Sequence, residues 1–355
     1  MKRRQFISGL AGAGLTIGHG GASAQTAAED VSKTLRDVWA AWREAHTEGA
    51  GRVIDNRQGR ASHSEGQAYG MLLAVRLGDR RTFERIETWT RVNLAIRADS
   101  LMAWRWLPDE PVRVPDINNA TDGDLFRAWA LLQAAERFNA PEHLDTAAAI
   151  VSDIVDRCVV ERANGTPLLL PGADGFLTDA GFIFNPSYCM PRALEDLAAA
   201  FDAPVLNRVA RASVALAGTL AESGPLPDWV EVTDGEVRPA EGFSFDSGYE
   251  AMRVPLYYVW SGLENHPAVR RYAIAQQAVG RGRAATVIGR PGGDILETSA
   301  EAGYRSLAAL AGCVSNRNTG SGMLPFEASQ SYYPATLQLF AMLAQIEGAP
   351  RCIPI

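Results

Sequence analysis

From about residue 28 onward the chain repeats one pattern, apolar residues three and four apart with polar residues between them. That spacing predicts helices over 30–46, 66–78, 82–96, 123–138, 142–160, 190–201, 204–221, 248–261, 266–279, 297–312 and 331–346. Strand-like material is sparse. Residues 167–171 form a short apolar run, and 230–237 flank an Asp234-Gly235 turn that suits a hairpin. Segments 66–77 and 125–134 are apolar nearly all round, whereas 82–92 carries its charges on one face. Helices of the first kind belong inside and those of the second kind outside. Together they predict an all-α toroid of helical hairpins with a minor β-hairpin. A linear solenoid would give the same alternation, but its repeat of roughly 30–45 residues is not found in this sequence. No low-complexity linker divides the chain, so residues 25–355 read as a single domain.

Charge narrows the possible partners. The 34 basic and 41 acidic residues give a net charge of −7. Three of the positive charges, Lys2, Arg3 and Arg4, open a segment at 1–24 that continues with an apolar stretch from Phe6 to Gly18 and ends in Ala22-Ser23-Ala24. This reads as an export signal, twin-arginine-like in Arg3-Arg4-Gln5-Phe6-Ile7, with cleavage before Gln25 and a bacterial periplasmic or secreted destination. The alternative is a short membrane anchor, for which the apolar stretch falls short of the ~20 residues a span needs. Without the three leader charges the remainder stands at −10. Such a chain, with no later basic run, suits neither nucleic acid nor an anionic membrane surface. Cys158, Cys189, Cys313 and Cys352 have no paired spacing and no neighbouring histidines, so neither a metal nor a cofactor is expected. Disulfides and buried thiols remain open for all four.

Three stretches share a form. Ser64-Glu65-Gly66-Gln67, Thr121-Asp122-Gly123-Asp124 and Ser247-Gly248-Tyr249-Glu250 each place a hydroxyl residue three positions ahead of an acid or amide at the head of an apolar helix. Each fits a capping box, and a carboxylate in a first turn is also stabilised by the helix dipole. Glu65 and Asp122, however, hold the second position, which a capping box does not use, and their flanks are small and polar. If inner helices begin at one rim of a toroid, these acids converge there as the paired carboxylates of glycoside cleavage. One of them must then be protonated. Negative neighbours such as Asp122 or Asp124, together with partial burial, would have to raise Glu65.

His63-Ser64-Glu65-Gly66-Gln67-Ala68-Tyr69-Gly70-Met71-Leu72, Asn118-Asn119-Ala120-Thr121-Asp122-Gly123-Asp124, Asn185-Pro186-Ser187-Tyr188 and Tyr249-Glu250-Ala251-Met252-Arg253-Val254-Pro255 resemble, in order, the motif series of glycoside hydrolase family 8. Within that family the chain is most similar to the periplasmic endo-β-1,4-glucanases that accompany bacterial cellulose synthesis. The resemblance implies an (α/α)6 barrel that cleaves internal bonds of a β-1,4-glucan chain with inversion, with the cellulose synthesis machinery as a further partner. It casts Glu65 as general acid. Asp122 would hold the distorted sugar and help position the water, with Tyr188 and Arg253 beside it and Asp124 among the binding residues.

The matching base is an Asp in the family's Tyr-Asp-Ala-x-Arg motif, and here it is Glu250. The extra methylene displaces the carboxylate on the scale that can cost ~100-fold in rate. Three readings follow: Glu250 serves with a shifted backbone, Asp246 substitutes, or catalysis is slow, which at its limit leaves a glucan-binding protein. Chitosan, xylan and mixed-linkage glucan are alternative substrates within the family. For stacking on pyranose faces the candidates are Trp104 and Trp106, then Tyr332 and Tyr333. Trp39, Trp42, Trp89, Trp129 and Trp260 sit at helical spacing and read as core, and Trp229 is open. His46, His143 and His266 read as solvated, and His63 as a partner for the acid.

Overall fold

The computed structural model describes residues 20–353, with side chains from 31 onward. The export segment expected at 1–24 lies outside the described residues as far as position 19. Among the described residues there are eleven helices, one for each predicted stretch: α1 (Gly20–His46), α2 (Ser64–Arg76), α3 (Arg80–Asn93), α4 (Thr121–Arg137), α5 (Glu142–Cys158), α6 (Pro191–Ala200), α7 (Pro204–Glu222), α8 (Arg253–Trp260), α9 (Pro267–Gln277), α10 (Ala302–Asn316) and α11 (Tyr332–Gly348).

Consecutive helices pack as hairpins, α2 on α3, α4 on α5, α6 on α7, α8 on α9 and α10 on α11. The apolar-all-round helices α2, α4, α8 and α11 form the inner wall. Their rings meet at its centre, Tyr69 lying 4.9 Å from Phe126 and 4.8 Å from Phe340, and Phe126 5.5 Å from Tyr257. Each such aromatic pair contributes on the order of 1 kcal/mol beyond its burial. The first helix returns to the last, where the buried Trp42 Nε1 donates to Thr336 Oγ1 at 3.0 Å. That contact closes the ring, which a solenoid would leave open, and the expected (α/α)6 toroid is what forms. Trp39, Trp42, Trp89, Trp129 and Trp260 are all buried.

Strands decorate the ring. β1 (Ser62–His63) pairs with β2 (Arg105–Trp106), and β3 (Val159–Glu161) with β4 (Pro167–Leu169). β5 (Gly181–Phe184) joins β6 (Val230–Thr233) and β7 (Val237–Arg238), the expected hairpin around Asp234-Gly235. β8 (Ala284–Ile288) pairs with β9 (Ile295–Ser299). This last hairpin corrects the helix expected from 297. Ile295, Thr298 and their neighbours are held in a ladder, and α10 begins only at Ala302.

The helix expected from 248 also starts late, at Arg253. Pro255 explains it, because proline lacks an N–H and is tolerated only in a helix's first turn. The capping boxes do not form either. Ser64 and Thr121 lie inside their helices, and neither helix has a side-chain cap. Loop carbonyls do that work instead: Ser64 N donates to Trp104 O, just ahead of β2, and Thr121 N to Pro171 O, just after β4, each at 2.9 Å.

Cys313 and Cys352 form a disulfide, while Cys158 and Cys189 are buried thiols. His46 is buried rather than solvated, and burial pulls its pKa down to about 4. His266 caps α9, its Nδ1 accepting from Ala268 N at 3.2 Å.

Candidate active site

Every inner-wall helix opens at one rim, and the rim surrounds a cleft of about 650 Å³. Helix starts are held together by missing side chains. A Cβ on Gly123 of α4 would stand 2.6 Å from Ser64 Oγ and 2.8 Å from Glu65 N of α2. Only glycine lets the two helix ends touch, which brings Glu65 and Asp122, each second in its helix, to one point.

Arg253, the first residue of α8 and itself buried, organises the floor. Its Nη1 donates to Glu65, to Tyr69 Oη at 3.1 Å and to Asp122 Oδ2 at 3.3 Å. Its Nη2 donates to Ser187 Oγ at 2.7 Å and to Glu250. Glu250 also accepts from Ser187 Oγ at 3.1 Å and Asn185 Nδ2 at 3.2 Å, both on the loop after β5. One guanidinium therefore faces three carboxylates, and full ionisation would leave two negative charges uncompensated on the half-buried floor of the cleft.

The proton settles on Glu65. Burial raises its pKa to about 8 against the pull of Arg253, helped by the charges of Asp122 and Glu250 and by a hydrogen bond to Asp122. Asp122, also raised mainly by burial, reaches about 6. At neutral pH the arrangement holds a protonated Glu65 beside an ionised Asp122, with a second carboxylate across Arg253. A site of this kind can deliver a proton to a leaving oxygen on one side and accept one from water on the other.

Tyr188, Trp104 and Tyr333 line the same cleft. Trp104 is flanked by the near-parallel His63 ring at 6.2 Å and by the Arg105 guanidinium at 4.2 Å, and its Nε1 donates to Asp116 at 2.8 Å. His63 thus packs on the tryptophan, and burial lowers its pKa to about 4, so it is neutral.

Other expected residues stand elsewhere. Asp124 is fully buried beneath the floor, accepting from Met102 N at 2.7 Å and Asn119 Nδ2 at 3.0 Å, and does not reach the cleft. Asp246 turns its carboxylate to Arg290 N at 3.1 Å, outside the cleft lining. Trp106 packs edge-on against Trp89. Trp229 stacks parallel to Phe176 at 6.3 Å and lies 5.9 Å from Tyr188.

Sequence reasoning missed Asp55, Glu297, Glu301 and Tyr304, which also line the cleft. Glu297 accepts from Tyr249 Oη at 2.6 Å. Ile295 and Thr298, β-branched in a five-residue run after Gly292-Gly293, were the available signal for the strand that carries it. Among the described residues no cluster of His, Cys, Asp or Glu is placed to hold a metal ion.

The family model for glycosyl hydrolases family 8 matches residues 21–347. The chain belongs to glycoside hydrolase family 8. A probable endoglucanase of Novacetimonas hansenii is 33% identical over 326 residues, covering 90% of this chain and 93% of the relative. An endoglucanase of Escherichia coli K12 is 36% identical over 236 residues, which is 64% of this chain and 62% of the relative. Among solved structures, the endo-β-1,4-glucanase CMCax of Acetobacter xylinum superposes with a TM-score of 0.80 at 30% identity, covering 89% of this chain and 99% of that one. The chain is thus a family 8 glycoside hydrolase with the family's barrel.

Proposed function

We propose that this family 8 hydrolase is an inverting endo-β-1,4-glucanase that cuts internal bonds of cellulose, with Glu65 as general acid and Glu250 as general base. The observation that carries the assignment is the convergence of Glu65, Asp122 and Glu250 on Arg253 in one open cleft, with the proton held by Glu65. In the reaction Glu65 protonates the leaving glycosidic oxygen as the C–O bond breaks. Water adds to the anomeric carbon from the opposite face and gives its proton to Glu250. Asp122 keeps its charge beside the distorted sugar, where positive charge develops at the ring. Arg253 holds these groups in register, Tyr188 lines the cleft beside them, and Trp104 and Tyr333 line the path of neighbouring glucose units. Polarimetry or proton NMR of freshly cut cello-oligosaccharide tests the stereochemistry, and an initial product of retained configuration rejects the assignment.

Residues 25–355 act as one catalytic domain after removal of an export signal, in the periplasm or outside the cell, alongside cellulose synthesis. Among the described residues no helix is long and apolar enough to cross a membrane. A second reading, hydrolysis of cationic chitosan, is favoured by three further acids in the cleft lining, Asp55, Glu297 and Glu301, against one further base, Arg57. Initial rates on carboxymethylcellulose, chitosan and xylan separate the two.

A further inference from the structure

The segment that carries Glu250 is a turn, and what shapes it lies some twenty residues earlier. Asp228, in the stretch Pro227-Asp228-Trp229 just ahead of β6, is buried, and its Oδ1 accepts from both Gly248 N and Ala251 N at 2.8 Å. Those amides flank Tyr249 and Glu250 and precede the first intrahelical bonds of α8, so they are donors that would otherwise go unpaired. A neighbouring segment thus supplies the capping oxygen that Ser247 does not. The grip is two-sided, because Asp228 N donates to Asp246 O at 2.8 Å and Trp229 N to Ser244 O at 3.1 Å. Fit is tight as well: a Cβ at Gly248 would lie 2.6 Å from Asp228 Oδ2. Tyr333 Oη, bonded to the carbonyl of Tyr249, holds the turn from its other side.

We propose that Asp228 is a positioning residue for the hydrolysis, clamping the 248–251 turn so that the longer side chain of Glu250 stands at the working height of the base. The inference rests on the assignment of Glu250 as base. The charged groups facing Asp228 are Glu250, which raises its pKa, and Arg253, which lowers it, while Asp246 on the same turn points its carboxylate to Arg290 N. Burial, the largest influence, brings Asp228 to about 6, so the clamp weakens as pH falls through that value.

The test compares Asp228→Ala and Asp228→Asn with the natural protein in kcat, KM and pH profile on carboxymethylcellulose. Alanine removes the acceptor and lowers kcat by ~100-fold, the cost of a displacement of about 1 Å, with KM within about twofold. Asparagine keeps an acceptor oxygen for both amides and restores most of kcat. Because it does not titrate, it escapes the loss that Asp228 adds below about 6 to the one set by Asp122, so the ratio of its kcat to that of the natural protein rises as pH falls from 7 to 5. Equal losses in both variants, or an alanine variant with unchanged kcat, overturn the clamp. Should the alanine variant not fold, the asparagine variant decides: a ratio of its kcat to that of the natural protein that stays flat from pH 7 to 5 overturns the clamp. Glu250→Gln is measured alongside. Retained turnover there removes the base assignment itself, whereas an inactive Glu250→Gln with silent Asp228 variants removes only the clamp.

Discussion

Glu65→Gln separates the chemical role of this carboxyl from its cost to the fold. Glutamine is the uncharged isostere of the protonated acid, and its amide can keep the hydrogen bond to Asp122, but it has no proton to give. Turnover on carboxymethylcellulose is expected to fall below detection while cello-oligosaccharide binding persists. The stability effect has the opposite sign. In the folded protein Glu65 has a pKa of about 8 against 4.5 when solvated, chiefly because burial opposes its charge. Between those values the unfolded chain has released the proton and the folded one still holds it. Natural stability is therefore intact below 4.5 and falls as pH rises toward about 8. At 1.36 kcal/mol per unit, the loss at pH 7 is at most about 3 kcal/mol, and above pH 8 about 5 kcal/mol. These are ceilings, since water reaching a side chain that is 21% exposed relieves part of the strain. Glutamine has no such dependence. Denaturant unfolding at pH 4, 7 and 9 is therefore expected to show little difference between variant and natural protein at pH 4, with the variant gaining progressively above it. A variant equally or less stable at all three pH values would refute the reasoning, because Glu65 would then not be held protonated by its surroundings. The same titration sets the basic limb of activity, with turnover lost as pH passes about 8.

Three further outcomes follow from the geometry. Glu250→Asp withdraws the carboxylate from Asn185 and Ser187, so kcat is expected to fall by ~10- to 100-fold, and a gain would mean that the natural residue holds catalysis back. Gly123→Ala drives a methyl into Ser64 and the backbone of Glu65, and a loss of at least ~10-fold in kcat with KM little changed is expected; unchanged kinetics would show that the helix ends need not touch. Removing the Cys313–Cys352 disulfide by replacing both cysteines with serine opens a loop of 39 residues and is expected to cost roughly 4 kcal/mol, read by denaturant unfolding under non-reducing conditions, whereas a shift under 1 kcal/mol would place the bond outside the cooperative core.

By itself the sequence determined the helices. Apolar spacing at a period near 3.6 is a local property, and each of the eleven predicted stretches contains a helix. The difference between helices apolar all round and helices apolar on one face also marked 66–77 and 125–134, now α2 and α4, for the inner wall, because burial on every side leaves no position for charge. Four motifs named Glu65, Asp122, Tyr188, Glu250 and Arg253, residues up to 188 positions apart that meet in one cleft. What only the tertiary structure decided was everything that depends on a neighbour distant in sequence. The 295–299 run became a strand because Ala284–Ile288 was there to pair with it. Asp124 passed from the cleft to its foundation because Asn119 and the backbone of Met102 claim its oxygens. Asp228 carried no motif, and its place under the turn of Glu250 is fixed by two backbone amides that a linear reading cannot bring to it. Protonation of Glu65 belongs to the same class, since burial and two remote carboxylates produce it, and these exist only once the ring has closed.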